Sequence, residues 1–194
     1  VQANFSEVSG ASITYPGTGA GYMDRRTHRE EDPVSNLNLQ LGQAPDQGAV
    51  LRVRNPSSTR SLVIASPSTG FEDINLTFAT TRTSNGATQQ EIYYSIDGGN
   101  EWLFTNHSYL LPELPEWDLI SVDLSTIKSA NNNSDLKIKI LFTGSNNSGT
   151  EGNNRFDNVS VSGVPIVTSV ETFTDAISMT LWPNPASEYF YLSI

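Results

Sequence analysis

The sequence contains no cysteine, and that absence removes disulfide scaffolds, thiol nucleophiles and zinc–thiolate centres together. Long apolar runs are missing too. Nothing approaches the ~18 residues of a membrane-spanning segment, and no signal peptide is recognisable. Charge is scarce and one-sided: charged residues are 16% of the chain, with 11 basic against 21 acidic side chains and a net charge of −10. A surface of that sign repels phosphate backbones and anionic lipids, so neither nucleic acid nor membrane insertion is expected. Histidine occurs twice, as His28 and His107, and neither stands in the spacing of a catalytic triad or a metal-ligand set.

What fills the chain is Asn, Ser, Thr and Gly around short alternating segments. A stretch of 194 residues buries roughly 70% of its unfolded surface, so it needs no cross-link merely to fold. No segment keeps a 3.6-residue apolar period, whereas period two recurs throughout. Leu51 and Val53 alternate with Arg52 and Arg54. Ile74, Leu76 and Phe78 alternate with Asn75, Thr77 and Ala79, and Ile92, Tyr94 and Ile96 with Glu91, Tyr93 and Ser95. Asp97-Gly98-Gly99-Asn100 then reads as a hairpin turn, because glycine takes positive φ without steric cost, and Trp102-Leu103-Phe104 begins the return strand. Further strands are expected at 119–124, 136–140 and 156–161. Eight to ten short strands between Gly/Asn/Ser/Pro loops predict an all-β fold, an antiparallel β-sandwich of two packed sheets. Residues 10–48 are read as long loops over that sandwich.

Two sets of residues resemble known families. The tail Leu181-Trp182-Pro183-Asn184-Pro185-Ala186, followed by Tyr189, Phe190, Tyr191 and Leu192, resembles the start of the C-terminal sorting domain that Bacteroidetes-type bacteria append to proteins exported by the type IX (Por) system. The other reading of these residues is a Pro-bounded turn into an ordinary edge strand. Ser95-Ile96-Asp97-Gly98-Gly99-Asn100-Glu101-Trp102 is similar to a hairpin of many secreted bacterial sandwiches. Asn154-Arg155-Phe156-Asp157-Asn158-Val159-Ser160-Val161 is similar to the last strand of jelly-roll carbohydrate-binding modules. The resemblance implies a jelly-roll binding module over 1–163, a linker over 164–180 and a truncated sorting domain over 181–194. It further implies secretion or display at the cell surface, and a structural calcium ion between Glu7 and Asp157, with hard oxygen ligands at loop ends. By alternation Asp157 shares a face with Val159 and Val161 and points inward, where either the metal or a hydrogen-bonded loop cap would compensate it.

Candidate ligand residues fall into two chemical kinds. Flat aromatic faces suit the apolar side of a pyranose; Tyr93 and Trp102 are selected, with Tyr15, Tyr22 and Trp117 behind them, although a sandwich core also consumes aromatics. Guanidinium groups suit carboxylate or sulfate. Arg52 and Arg54 stand side by side on one strand face about 7 Å apart, with Arg25 and Arg82 able to add from nearby. The alternative for those arginines is surface ion pairing with Asp or Glu. Catalytic readings are weaker. His28-Arg29-Glu30-Glu31-Asp32 also reads as a solvated charge run. Glu113, Glu116 and Asp118 beside Trp117 suit glycoside hydrolysis by composition only, since sequence does not set their separation. The expected function is non-catalytic binding of an acidic or sulfated polysaccharide, holding an attached upstream catalytic domain near its substrate. A cell-surface adhesin or spacer with a protein partner is the alternative, and a small polysaccharide lyase or hydrolase the third.

Overall fold

A computed structural model describes residues 9–27, 36–39 and 49–167. Within them ten strands form two five-stranded antiparallel sheets, with a single 3₁₀ turn at Lys128–Ala130. The strands are β1 (Ser12–Thr14), β2 (Met23–Thr27), β3 (Ala49–Arg54), β4 (Ser61–Ala65) and β5 (Phe71–Arg82), then β6 (Gln89–Ser95), β7 (Leu103–Leu110), β8 (Asp118–Asp123), β9 (Lys137–Thr143) and β10 (Asn153–Pro165). The first sheet has the order β1-β4-β9-β6-β7 and the second β2-β3-β10-β5-β8. This is the jelly-roll sandwich that the alternation and the resemblance predict.

The core follows from that alternation. In the first sheet Leu62, Ile140 and Ile92 lie in register across β4, β9 and β6, all fully buried. The second sheet answers with Leu76 opposite Val122 and Phe78 opposite Ile120. Rings close the gap between the sheets: Phe156 lies 5.5 Å from Phe78 and 6.1 Å from Phe142, and Tyr15 meets Phe142 edge-on at 5.8 Å. Each large apolar side chain so enclosed contributes about 1.5–3 kcal/mol.

Three features depart from the expectation. Residues 10–48 include two strands, β1 and β2, each pairing with one neighbour at a sheet edge. An edge strand buries little, so Ile13 and Met23 are its modest apolar content and the alternation is faint. Strand β10 runs to Pro165, two residues past Gly163, with Val164 opposite Glu72 and Pro165 opposite Phe71. Asp157 points away from the core. The register of β10 on β5 jumps between Asp157 and Ser160, and Asn158 has φ 48°. Asparagine tolerates that left-handed backbone, and the bulged residue reverses the alternation beyond it. Phe156 therefore faces the core while Asp157, opposite Ala79, faces the outside of the second sheet; Val159 and Val161 still pack on the core. Residues 1–8 and 168–194, which include Glu7 and the sorting-domain motif, lie outside the described residues.

Candidate functional site

The two outer faces of the sandwich differ in kind. On the second sheet the outward residues Val50, Ala79, Thr81, Arg155 and Asp157 are all buried, so the β3-β10-β5 part of this face is covered, while Leu119 on the β8 edge is 49% exposed. Part of the cover is visible: the Asn38 amide donates to Thr77 Oγ1 at 3.0 Å and to the Asn158 carbonyl, while the Asn158 amide donates to the Leu37 carbonyl at 2.7 Å.

Arg52 and Arg54 stand on this same face, side by side as expected. Arg52, however, is spent within the protein. Its guanidinium forks onto the Asp24 carboxylate, with Nε to Oδ1 at 2.8 Å and the second bond from NH2 to Oδ2, and its side chain is only 14% exposed. The Arg52 hydrogen bond leads the effects that hold the Asp24 carboxyl below its usual range. The Arg54 guanidinium lies over the Tyr22 ring, 5.5 Å from its centre. Arg25 is exposed on the edge strand and in register with Leu51, on the opposite side of the sheet from Arg52. Arg82 is likewise in register with Asn154 and Val53, not with the Arg52 row. It braces the end of β5, paired with Glu113 at 3.1 Å and donating to the carbonyls of Leu111, Thr83 and Ser84. The four arginines are not brought together.

Of the two expected calcium ligands, only Asp157 lies among the described residues. Asp157 Oδ1 accepts the Asn158 N–H at 2.9 Å, and among the described residues no group of three or more His, Asp or Glu side chains is poised around a common point. Of the catalytic candidates, Glu113 is engaged by Arg82 and His107 stacks on Tyr109 at 6.1 Å, while His28 to Asp32 lie outside the described residues.

The outer face of the first sheet is open, and the two selected aromatics are here. Val63, Lys139, Tyr93 and Phe104 form one row across β4, β9, β6 and β7. The Tyr93 and Phe104 rings lie 5.2 Å apart at 43°. Trp102 precedes β7 at the end of the Asp97–Asn100 turn. That turn is built as the sequence predicts: Gly98 and Gly99 have φ 75° and 98°, and Asp97 Oδ1 accepts the N–H groups of Asn100 and Glu101. Lys139 joins the rings, its Nζ 4.2 Å from the Trp102 ring centre and 5.2 Å from that of Tyr93. Partial burial lowers the Lys139 ammonium below its usual range. Partial burial raises the Tyr93 phenol above its own, helped by the Glu91 carboxylate that accepts its O–H at 3.1 Å. Phe104 is 42% exposed, and Leu110, in register with the outward Gln89, is 78% exposed.

An open groove of about 470 Å³ adjoins this platform, walled by Pro16 and Gly17, residues 58–61, Lys139 and Leu141. Its rim depends on glycine. Gly17 has φ 146°, and a Cβ there would sit 2.3 Å from the Thr59 carbonyl oxygen. This close approach lets Thr18 N–H donate to Thr59 O at 3.2 Å, Thr59 Oγ1 to Thr18 O at 2.7 Å and Ser61 N–H to Pro16 O at 3.1 Å. Arg60 lies on this rim over the Tyr15 ring at 4.9 Å. Burial pushes the Tyr15 phenol up to about 12, against the opposing pull of Arg60 and Ser57. Phe104, Lys139 and Arg60 were not among the selected ligand residues. Alternation in Lys137-Ile138-Lys139-Ile140 is enough to turn Lys139 outward; that β9 lies beside β6 is not readable from it.

No family model matches the sequence, and no curated protein matches it. Solved structures do share the fold. The chain is similar to the family 11 carbohydrate-binding module of the Clostridium thermocellum cellulosomal cellulase Lic26A-Cel5E, at 11% identity and TM-score 0.50 over 87% of this chain and 97% of that one. It is also similar to the K2 cleaved adhesin domain of Lys-gingipain, at 10% identity and TM-score 0.50 over 84% and 98%. A third likeness is to the tandem CBM22-1–CBM22-2 domain of Paenibacillus barcinonensis Xyn10C, at 10% identity and TM-score 0.51 over 79% of this chain and 42% of that one. Against two longer chains, a bacteriophage tailspike and a xylanase, it spans only 20% and 27% of their length. The neighbours are mostly carbohydrate-binding modules, and at these identities they establish the jelly-roll fold.

Proposed function

We propose that this chain is a non-catalytic polysaccharide-binding module whose ligand lies on the outer face of the β1-β4-β9-β6-β7 sheet. The observation that carries the reading is the cluster of Tyr93, Trp102 and Phe104 around Lys139, on an uncovered sheet face and beside an open groove. A sandwich whose core already holds its own rings has no packing reason to turn these outward. Pyranose rings present an axial C–H face to an aromatic plane and hydroxyls to the polar groups around it, and Glu91, Ser108 and Lys139 supply such groups here. The fold shared with carbohydrate-binding modules supports this use of the face. In a secreted or surface-displayed protein, such a module would raise the local concentration of polymer for an attached polysaccharide-degrading domain.

The test is affinity electrophoresis of the 194-residue chain in gels containing a panel of soluble polysaccharides. At least one should retard it, and Trp102→Ala should weaken that retardation about tenfold, corresponding to roughly 1.4 kcal/mol for one lost ring contact. The Trp102 variant must keep its circular dichroism spectrum for the comparison to count. Absence of retardation on every polymer would sink the reading and leave the adhesin alternative.

A further inference from the structure

The rings of the proposed platform are not bare. Lys139 is half-buried beside them, its Nζ 4.2 Å from the centre of the Trp102 ring and 5.2 Å from that of Tyr93. The chain has three lysines, Lys128, Lys137 and Lys139, and the other two have ordinary partners. Lys128 pairs with Asp73 at 3.3 Å, and Lys137 donates to the Gly98 carbonyl at 2.7 Å. The Lys139 ammonium makes no hydrogen bond or ion pair among the described residues and rests on aromatic faces alone. Trp102 is also touched by the turn that precedes it, where a Cβ at Gly99 would lie 3.2 Å from Trp102 Cζ2. The ring selected for sugar stacking is therefore already occupied by the protein's own groups.

We infer that Lys139 is a displaceable cap on this platform: it lies over Trp102 and Tyr93 in the free protein and swings off them when a pyranose ring seats. The inference rests on the polysaccharide-binding reading and adds the step by which the face opens. Stacked carbon atoms meet best at about 3.5–4.0 Å, and an ammonium 4.2 Å from the ring centre fills that space, so cation and sugar exclude one another there. Of the two groups against Trp102, only Lys139 is free to leave. Gly99 is backbone, held at φ 98° in a turn that Asp97 fixes through the N–H groups of Asn100 and Glu101, and Lys137 through the Gly98 carbonyl. Lys139 is tied by its ring contacts only. An ammonium on a partly exposed ring is held weakly, and its flexible four-carbon stem can carry it clear. The partial burial that lowers the ammonium below its usual range acts in the same direction, because the hydration regained on leaving offsets part of the lost contact. In the empty protein the cap has a use of its own: it sets a charge over apolar ring surface on an uncovered face, where bare rings would attract other chains.

Proton NMR of the full chain reads the cap directly. In the free protein the ε-methylene protons of one lysine should lie upfield of the other two, shifted by the ring current, and Trp102→Ala should move them most of the way back. Xylohexaose, β-1,4-galactotriose and a mixed-linkage glucan oligosaccharide are then titrated in turn. With one that binds, the shifted signal should move to the ordinary lysine position as the site fills. Lys139→Ala, with an unchanged circular dichroism spectrum, should bind that oligosaccharide about two- to fivefold more tightly, the equilibrium equivalent of an exposed cation–π contact. A donor on the freed stem adds little against this, because ordering a lysine side chain costs about as much as an exposed hydrogen bond returns. Two results overturn the cap and keep the binding face: a lysine signal that stays upfield when the site is full, or a Lys139→Ala variant that binds more weakly where Trp102→Ala does too. Absence of an upfield lysine in the free protein overturns the cap whatever binds. Binding of none of the three overturns both, since a cap with nothing to admit is only packing.

Discussion

Asn55 is the residue on which several loops converge, and removing its side chain gives a sharply bounded prediction. It is 4% exposed. Its amide nitrogen reaches three backbone carbonyls, Asn85 at 2.7 Å, Asn146 at 2.6 Å and Glu151 at 2.8 Å, while its Oδ1 accepts the Ser57 hydroxyl at 2.9 Å. Two amide hydrogens serve three acceptors, so the group makes about two full bonds with one shared. Asn55→Ala deletes these and the Ser57 acceptor. At about 1 kcal/mol net for each of three bonds, the loss is about 3 kcal/mol. For a domain of this length, each kcal/mol moves Tm by about 2–4 °C, so the melting point should fall by about 6–12 °C. Circular dichroism melts of wild type and variant read the shift directly.

A second substitution separates this cause from simple loss of volume. Asn55→Asp keeps the shape but places a carboxylate against three carbonyl oxygens with no hydrogen to offer them. At neutral pH it should cost at least as much as alanine, and acidification should recover part of the loss as the carboxyl gains a proton and becomes a donor. The anchoring also reaches the proposed site, because Ser57 N–H and Ser58 N–H both donate to the Asn147 carbonyl and so hold the segment that carries Arg60. An Ala variant within 2 °C of wild type would refute the account, since it would mean that the three carbonyls find other donors at no cost.

Two further outcomes are expected. A chain ending at Val167 should melt within a few degrees of the full chain, whereas one ending at Gly163 should lose several degrees more, because it removes the Val164 and Pro165 pairing and the Ile166 N–H bond to Gly70 O; equal melting of the two would mean that the last residues of β10 contribute nothing. Calcium held by Glu7 and Asp157 should raise Tm, by an amount equivalent to about 2.7 kcal/mol at a hundredfold excess over its dissociation constant, with the rise absent in Asp157→Ala; a melt indifferent to calcium and chelator removes that site.

Local chemistry was legible where it is decided by near neighbours in sequence. The Asp97-Gly98-Gly99 turn, the core faces of β5, β6 and β9 and the outward Tyr93 all follow from alternation and from what glycine permits. Alternation fails at a bulge, because one extra residue exchanges the two faces without changing composition. Asp157 is the case in point: Asn158 is the only sign of the reversal, and asparagine is too common in this chain to mark it. The edge strands β1 and β2 were hidden for a related reason. With one neighbour each they bury few side chains, so their sequences carry little of the pattern that identifies a strand.

The site was hidden by topology more than by chemistry. Parity places Arg52 and Arg54 on one outer face and Tyr93 on another, and parity is right in both cases; what it omits is which outer face the rest of the chain covers. Ala79 and Thr81 point away from the core yet are fully buried, and that pair of facts is visible only in three dimensions. Within the protein, Arg52 becomes a structural group through its fork onto Asp24, and Arg54 lies over the Tyr22 ring. The uncovered face, where binding is proposed, carries Lys139 of β9 against the Tyr93 and Trp102 rings. The selected residue types, aromatic ring and cation, are the ones that meet at Lys139. Their meeting depends on β9 lying between β4 and β6, a strand order fixed by the long connections of the sandwich and by no feature local to any of the three.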